Sequence, residues 1–282
     1  MLDKNKRILT VGLGLIGGSI AAALSAAGYE VSAADTRREA IDIALSRGYI
    51  ANGYTSPGDY VSDHDIVIFA LYPHTLLAAA PSYAKYLTPG TLVTDATGVK
   101  SAIVNEMQAM MPAGVEFVGA HPMAGREVSG VENATPTLFC GANFIVTPTD
   151  QNTEWAISIC EDIGRAIGAA NISRLSPARH DEMIGFLSQL THCIAVALMT
   201  CKESRHLVDY IGDSFRDLTR IAKINEDMWW ELFWLNRREL LSQMDLFLDH
   251  FATLRRALAE GDEAKMKEIM RLSTERRRYF DK

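Results

Sequence analysis

The chain has 282 residues, a formal net charge of −7 and 48% hydrophobic residues. That length holds one large domain or two ordinary ones with a full core, and the negative balance argues against nucleic acid or an anionic membrane as a main partner. Cys140, Cys160, Cys193 and Cys201 form neither a C-x-x-C pair nor a zinc spacing, so no metal is expected, and free thiols in a reducing cytoplasm are the reading.

Taken in chain order, Arg7 to Val11 (RILTV) reads as a short buried strand, and no charge occurs from Ile8 to Tyr29. About 20 apolar residues suffice to span a bilayer, but the glycines decide against a span. Gly12, Gly14 and Gly17 fall in the spacing G-x-G-x-x-G, and a helix of small residues, Ile16 to Ala27, follows and is stopped by Gly28. Strand, glycine turn and helix make the first half of a dinucleotide-binding unit. The glycines allow a tight turn, close approach of a pyrophosphate, and close packing of helix on strand. Leu15 and Ile16 stand at the start of the helix, whose N-terminus faces the phosphates. No cleavage site follows, which speaks against a signal peptide. The next strand, Glu30 to Ala34, ends at Asp35, the spacing of the acid that holds the adenosine ribose. A carboxylate there repels a 2′-phosphate, so NAD is expected, although Arg37 and Arg38 leave NADP open.

Further strands are expected at Ile66–Ala70, Leu92–Thr94, Phe117–Ala120, Asn143–Thr147 and Ala170–Ser173, with helices at Arg38–Arg47, Ser101–Met110 and Thr153–Ile167. This alternation implies a mostly parallel sheet covered on both faces. From Pro177 onward only helices are expected, broken near Ile211–Ser214 and Glu260–Asp262, so a boundary falls around Ser173–Pro177. In an open parallel sheet, ligands sit beyond the carboxyl ends of the strands. There Tyr72 and Pro73 can border a nicotinamide ribose, Asp95 opens a polar turn running to Lys100, and His121 is the natural acid–base group. Taken alone, a histidine at a strand end is as often structural as catalytic.

The segments VGLGLIGGS, HPMAGREVSG and SFRDLTRIAKINEDMWWELFWLN, in that order, resemble the prephenate dehydrogenase family. The resemblance runs over nearly the whole chain. It implies an α/β fold: an N-terminal Rossmann-type, doubly wound, mostly parallel sheet that binds NAD (1–175), then an all-helical dimerisation and substrate domain (176–282). A cytoplasmic homodimer is implied, with prephenate as the small-molecule substrate. His121 matches the histidine that draws the proton from the ring hydroxyl of prephenate while hydride leaves for NAD and CO2 is lost. Arg220 matches a substrate-binding arginine, suited to a dicarboxylate by its bidentate guanidinium. Ser188 and His192 match a substrate-facing helix, Glu127 an acid that pairs near the entrance, and Trp229 a tryptophan beside the site. His180 matches a histidine expected only to hold a helix start.

Three positions depart from the family pattern. Gly98 stands where serine is usual, Gln189 where histidine is frequent, and Arg126 where threonine is usual. Thr97 is therefore expected to supply the missing hydroxyl to the substrate, with Ser101 second. Trp230, Phe233 and Trp234 are expected in a dimer or domain core, and the tail TERRRYF as a solvated helix end. The chain stops at Lys282, so a further regulatory domain is not expected and inhibition by tyrosine would compete with prephenate. Three other readings stand beside this one. Arogenate dehydrogenase shares the ring chemistry. A serine hydrolase could use Gly17–Ala21 as its elbow, although Ser19 lies inside the helix rather than on a sharp turn. A non-catalytic nucleotide sensor would have no use for His121 together with Arg220.

Overall fold

A computed structural model describes residues 2–203 and 205–280. The chain folds as two compact units, Met1–Asn236 and Arg237–Lys282. The first unit begins with β1 (Arg7–Val11), α1 (Leu15–Ala26), β2 (Glu30–Ala34), α2 (Arg38–Ser46) and β3 (Asn52–Tyr54). It continues through β4 (Ile66–Phe69), α3 (Pro73–Ala84), β5 (Leu92–Asp95), α4 (Val104–Met110) and β6 (Glu116–Pro122). Then come β7 (Asn143–Thr147), α5 (Glu154–Ala166) and β8 (Asn171–Arg174). From there it is helical: α6 (Pro177–Ile184), one π-turn over Gly185–Gln189, α7 (Leu190–Thr200), α8 (Asp213–Thr219) and α9 (Glu226–Leu235).

The eight strands form one sheet in the order β3-β2-β1-β4-β5-β6-β7-β8, parallel throughout except for the antiparallel pair β6–β7. Alternate residues along the strands feed two separate cores. Ile8, Val31, Ile66, Ile68 and Val118 face one side, where α1, α2 and α5 supply Leu24, Ile41 and Ile157. Leu9, Val67, Phe69, Val93 and Phe117 face the other, against Leu76 and Tyr83 of α3 and Met107 of α4. Because both faces are covered, the strands are apolar at nearly every position, as parallel sheets require. The order reverses between β1 and β4, which opens the crevice where a doubly wound sheet takes its ligand.

The uncharged N-terminal stretch is thus a buried strand and helix. A second stretch, Pro177–Thr200, is long and apolar enough by composition to cross a membrane, yet His180, Asp181 and Gln189 within it are buried and hydrogen-bonded to the rest of this unit. Strand β3 was not expected from the sequence. It is only three residues long, and its Gly53 has no room for a side chain, since a Cβ there would lie 2.2 Å from Ile41 Cγ2. Strand β6 runs to Pro122, so His121 lies within it rather than after it. Helix α4 starts at Val104, later than the sequence pattern suggests, because 99–103 form an irregular turn.

In the second unit, α10 (Arg237–Glu260) and α11 (Glu263–Arg277) pack on each other around Gly261, whose φ of 70° makes the turn, and Asp262 caps α11 by accepting from Lys265 N. The segment 274–280 is exposed, as a solvated helix end should be.

Candidate active site

The glycine turn fits a dinucleotide. Gly12 has φ 95°, and a Cβ on it would lie 2.6 Å from Ala70 O; a Cβ on Gly17 would lie 1.9 Å from Gly12 O. These two glycines let helix, strand and turn meet. Gly14 is different: a Cβ there meets no protein atom within 4 Å. It caps α1, where Leu15, Ile16 and Gly17 have N–H groups without intrahelical partners, so the open space lies where an anionic pyrophosphate would be held. Asp35 first organises the turn itself, since its Oδ2 accepts from Leu13 N at 2.7 Å. Its Oδ1 accepts from Arg37 N at 2.8 Å, and the Arg37 guanidinium lies against the same carboxylate. The hydrogen bond from Arg37 to Asp35 raises the arginine's pKa despite partial burial. Tyr72 and Pro73 cap α3, with Tyr72 exposed and Pro73 buried.

Two expectations need correction. Asp95 was assigned to the cofactor, but its carboxylate is buried and spoken for by protein donors. Oδ1 accepts from Ala120 N at 2.9 Å, while Oδ2 takes Thr97 N, the Thr97 hydroxyl and, at 2.6 Å, the fully buried Lys100 Nζ. Thr97 was assigned to the substrate, but its hydroxyl is buried and bonded to Asp95 and to Val99 O. Ser101 is engaged too, its N–H donating to Asp181 Oδ2 at 2.8 Å.

His121 is the half-buried head of a line whose further members, His180 and Asp181, are buried. Its Nδ1 is 2.9 Å from His180 Nε2, and His180 Nδ1 is 2.8 Å from Asp181 Oδ1. Asp181 also accepts from Lys100 N at 2.9 Å and from Ser101 N at 2.8 Å. Burial opposes its ionisation, but the bonds from His180 and Ser101 outweigh that and hold the carboxyl below its ordinary range. An ionised carboxylate only accepts, so His180 Nδ1 carries a proton and donates it to Asp181. Burial keeps His180 neutral against the pull of Asp181, which leaves its Nε2 as an acceptor. His121 Nδ1 must then be the donor. Burial, with help from His180 and the Lys100 ammonium, pushes His121 well below the usual histidine range. A neutral imidazole with hydrogen on Nδ1 has a bare lone pair on Nε2. This is a base. His180, expected only to hold a helix start, is the link that orients it. A histidine next to an aspartate was the one sequence signal available for this.

Gly98 does not have a left-handed backbone, and a Cβ there would meet Leu232 of α9 at 3.5 Å and His121 Cε1 at 3.9 Å. The position of the usual serine therefore borders the imidazole, and glycine leaves that border open. Gln189 is buried, donating to Leu232 O and accepting from Asn236, which also donates to Asp181 O. It fastens α9 to α6 and has no free amide to offer a substrate.

The groups expected at the entrance come from several segments: Glu127 follows β6, Arg220 follows α8, His192 lies on α7 and Trp229 on α9. Arg220 pairs with Glu127. His192 lies against Trp229 with ring centroids 3.8 Å apart and the planes tilted by 32°, and its Nδ1 donates to the Ser188 carbonyl at 2.9 Å. Ser188 thus meets His192 through its backbone, inside the π-turn, rather than through its hydroxyl. Burial lowers the pKa of His192 as well. Arg126 is exposed and donates to Asn133 O. Trp229 also packs on Phe233, whereas Trp230 and Trp234 stack on each other and are exposed, so these two are not in a core of the single chain. Among the described residues no group of side chains is arranged to hold a metal, and the four cysteines are free thiols.

Two domain families match this chain: "Prephenate dehydrogenase, nucleotide-binding domain" over residues 20–172 and "Prephenate dehydrogenase, dimerization domain" over residues 176–272. The prephenate dehydrogenase of Bacillus subtilis is 29% identical over 90% of this chain and 71% of its own length. The cyclohexadienyl dehydrogenase of Zymomonas mobilis is 30% identical over 91% of this chain and 90% of its own. Among solved structures, prephenate dehydrogenase from A. aeolicus in complex with hydroxyphenyl propionate and NAD+ superposes with a TM-score of 0.89, at 29% identity, over 99% of each chain.

The histidine pair has a consequence for stability. His121 and His180 stay neutral in the folded chain at pH values where an unfolded histidine, with an ordinary pKa of about 6.5, takes up a proton. The unfolded state then binds more protons, so stability rises with pH through this window and is lost as pH falls below it. Urea midpoints at pH 7.5 and 5.5 should show a clear drop at the lower pH, and a smaller drop in a variant with His180 replaced by Gln. Equal midpoints for the unmodified chain would mean these imidazoles titrate normally.

Proposed function

This chain belongs to the prephenate dehydrogenase family, and on that premise we propose that it converts prephenate and NAD into 4-hydroxyphenylpyruvate, CO2 and NADH, a step of tyrosine biosynthesis. The observation that carries the reading is the line His121–His180–Asp181, which ends in a neutral imidazole with an unprotonated Nε2. When bound, NAD supplies the hydride acceptor, and Gly12, Gly14, Leu15, Ile16, Gly17 and Asp35 are the residues suited to hold it. The ring hydroxyl gives its proton to His121 Nε2 as hydride leaves the same carbon. Loss of the ring carboxylate as CO2 returns an electron pair to the ring, and the phenolate oxygen takes the proton back from His121. While His121 is charged, His180 Nε2 accepts from its Nδ1, and the negative charge of Asp181 lies behind both. A base so held contributes a factor of roughly 10² to 10⁴, enough where aromatisation drives the reaction.

Arg220, paired with Glu127, is suited to a carboxylate of the substrate, since a guanidinium can exchange one carboxylate for another. His192, Trp229 and Ser188 form the neighbouring wall. We place the domain boundary at 175/176, where strands give way to helices and the two matched domains meet. The helical part then joins two copies: Trp230, Trp234, Leu241 and Phe251 are exposed large apolar side chains of the kind a dimer interface covers. Free thiols and dependence on NAD suit the cytoplasm.

The test is NADH formation from prephenate, with arogenate assayed beside it to measure the preference. His121→Asn should lower kcat by at least about 10² with NAD affinity nearly unchanged. Asp181→Asn should do nearly the same without touching the substrate. Its amide can donate to His180 Nδ1, which reverses both imidazoles and puts a hydrogen on His121 Nε2, the wrong tautomer for a base. Near-normal turnover of either variant contradicts the assigned role.

Cofactor choice follows from Asp35 and Arg37. With Asp35 present, Arg37 is occupied by the carboxylate and unavailable to a 2′-phosphate. Asp35→Ser should free it and move the ratio of kcat/KM for NAD over NADP by tenfold or more, about 1.4 kcal/mol, toward NADP. An unchanged ratio would show that Asp35 does not face the ribose.

A further inference from the structure

Both arms that hold His121 start from one short segment, 95–101. In front, the backbone ladder between β5 and β6 ends at Thr94↔Val118. The N–H of Ala120, next to His121, is taken by Asp95 Oδ1 at 2.9 Å, so a side chain continues the pairing where the backbone stops. Behind, the N–H groups of Lys100 and Ser101 grip Asp181, which holds His180, which holds His121. Lys100 belongs to both arms. Its N–H serves the rear one, and its ammonium, 2.6 Å from Asp95 Oδ2 and 3.1 Å from Thr97 Oγ1, fixes the front one. Its stem runs along β6 at Gly119, two residues before His121, where a Cβ would stand 3.4 Å from Lys100 Cδ.

A wholly buried ammonium is costly, because desolvation must be offset by a partner of excellent geometry. Holding a strand end would not by itself call for a charge there, since a neutral amide in place of Asp95 could also accept from Ala120 N. What a positive charge adds is its field on the two imidazoles, which opposes a further positive charge there. We propose that Lys100 is a positioning residue for the base: locked on Asp95 beneath β6, its ammonium sets a positive charge behind the strand end that carries His121, while its backbone N–H fixes Asp181 and so the direction in which the His121–His180 pair donates.

The proposal rests on the reading of His121 as the base. The charged groups facing the pair are Asp95 from β5, Lys100 from the segment after it, and Asp181 from α6, while α9 contributes the apolar Leu232 beside Gly98. Burial draws the lysine's own pKa down, and Asp95 opposes that by stabilising the ammonium. Of the ionisable neighbours, His180 and Lys100 are the two that lower the pKa of His121. Loss of the ammonium should therefore let His121 take up a proton at a higher pH.

Two variants of the full chain separate positioning from mere structural support. Lys100→Met removes the charge and leaves Asp95 unpaired. The double variant Lys100→Met with Asp95→Asn removes both charges, keeps an acceptor for Ala120 N, and should fold even where the single variant does not, since neutral replacement of a buried ion pair is often tolerated. For each, kcat/KM for prephenate is followed from pH 5 to 9, with NAD affinity and melting temperature as checks of folding. The expected result is an acid limb moved to higher pH, so that kcat/KM at the acid end, relative to its plateau, falls about tenfold for each pH unit of displacement, with NAD affinity nearly unchanged. A folded double variant whose acid limb coincides with that of the unmodified chain overturns the proposal and leaves Lys100 a structural partner of Asp95. Absence of prephenate turnover in the unmodified chain would instead overturn the underlying reading, so the two failures are distinguishable.

Discussion

An ionised carboxylate has no proton to give, and from that constraint at Asp181 the direction of every bond out to the substrate follows. The N–H groups of Lys100 and Ser101 fix the carboxylate at 2.9 and 2.8 Å, His180 must donate to it, and His121 must donate to His180. The bare nitrogen at the end of this line is a product of geometry set two residues back in space. Nothing at His121 itself would choose between its two tautomers, which are close in energy for a free imidazole.

The fold supplies the line by bringing a strand end and a helix of the same compact unit together. Helix α6 enters the sheet edge with His180 and Asp181 in successive positions, and the π-turn after it re-registers the chain so that Gln189 reaches Leu232 and Asn236. Such turns within helices often mark functional sites. Helix α9 then lies across Gly98 through Leu232, and its Glu231 accepts from His74 N at the start of α3, the segment suited to border the cofactor. The parts that would meet substrate and cofactor are therefore fastened to one another by side chains that reach across to backbone groups, Gln189 to Leu232 O and Glu231 to His74 N.

Much of this was legible in the sequence. Runs such as RILTV and the spacing of Gly12, Gly14 and Gly17 give strand, turn and helix: at Gly12 and Gly17 only glycine fits, because a Cβ would strike a backbone carbonyl, while Gly14 leaves the space at the helix start open. The resemblance carried His121, Arg220 and Glu127, and the structure brings Arg220 and Glu127 into contact. What failed was partner choice. Asp95 and Thr97 sit at a strand end, where polar residues usually face the ligand, but Lys100 turns inward and captures both. Polarity and position are visible in a sequence; a lysine folding back five residues into a core is not. His121 and His180 lie 59 residues apart, so their bond is a property of the tertiary fold alone. Strand β3 was missed because three residues with a central glycine carry no period.

The most direct test of this account is the tautomer of His121 at neutral pH, read from long-range 15N correlation spectra of the chain labelled at histidine, with resonances assigned by His121→Asn and His180→Gln. The account predicts that both His121 and His180 are neutral, each with hydrogen on Nδ1 and none on Nε2. A His121 ring with hydrogen on Nε2, or a doubly protonated His180, would contradict it, because the nitrogen facing the substrate could then no longer be the base that this arrangement requires.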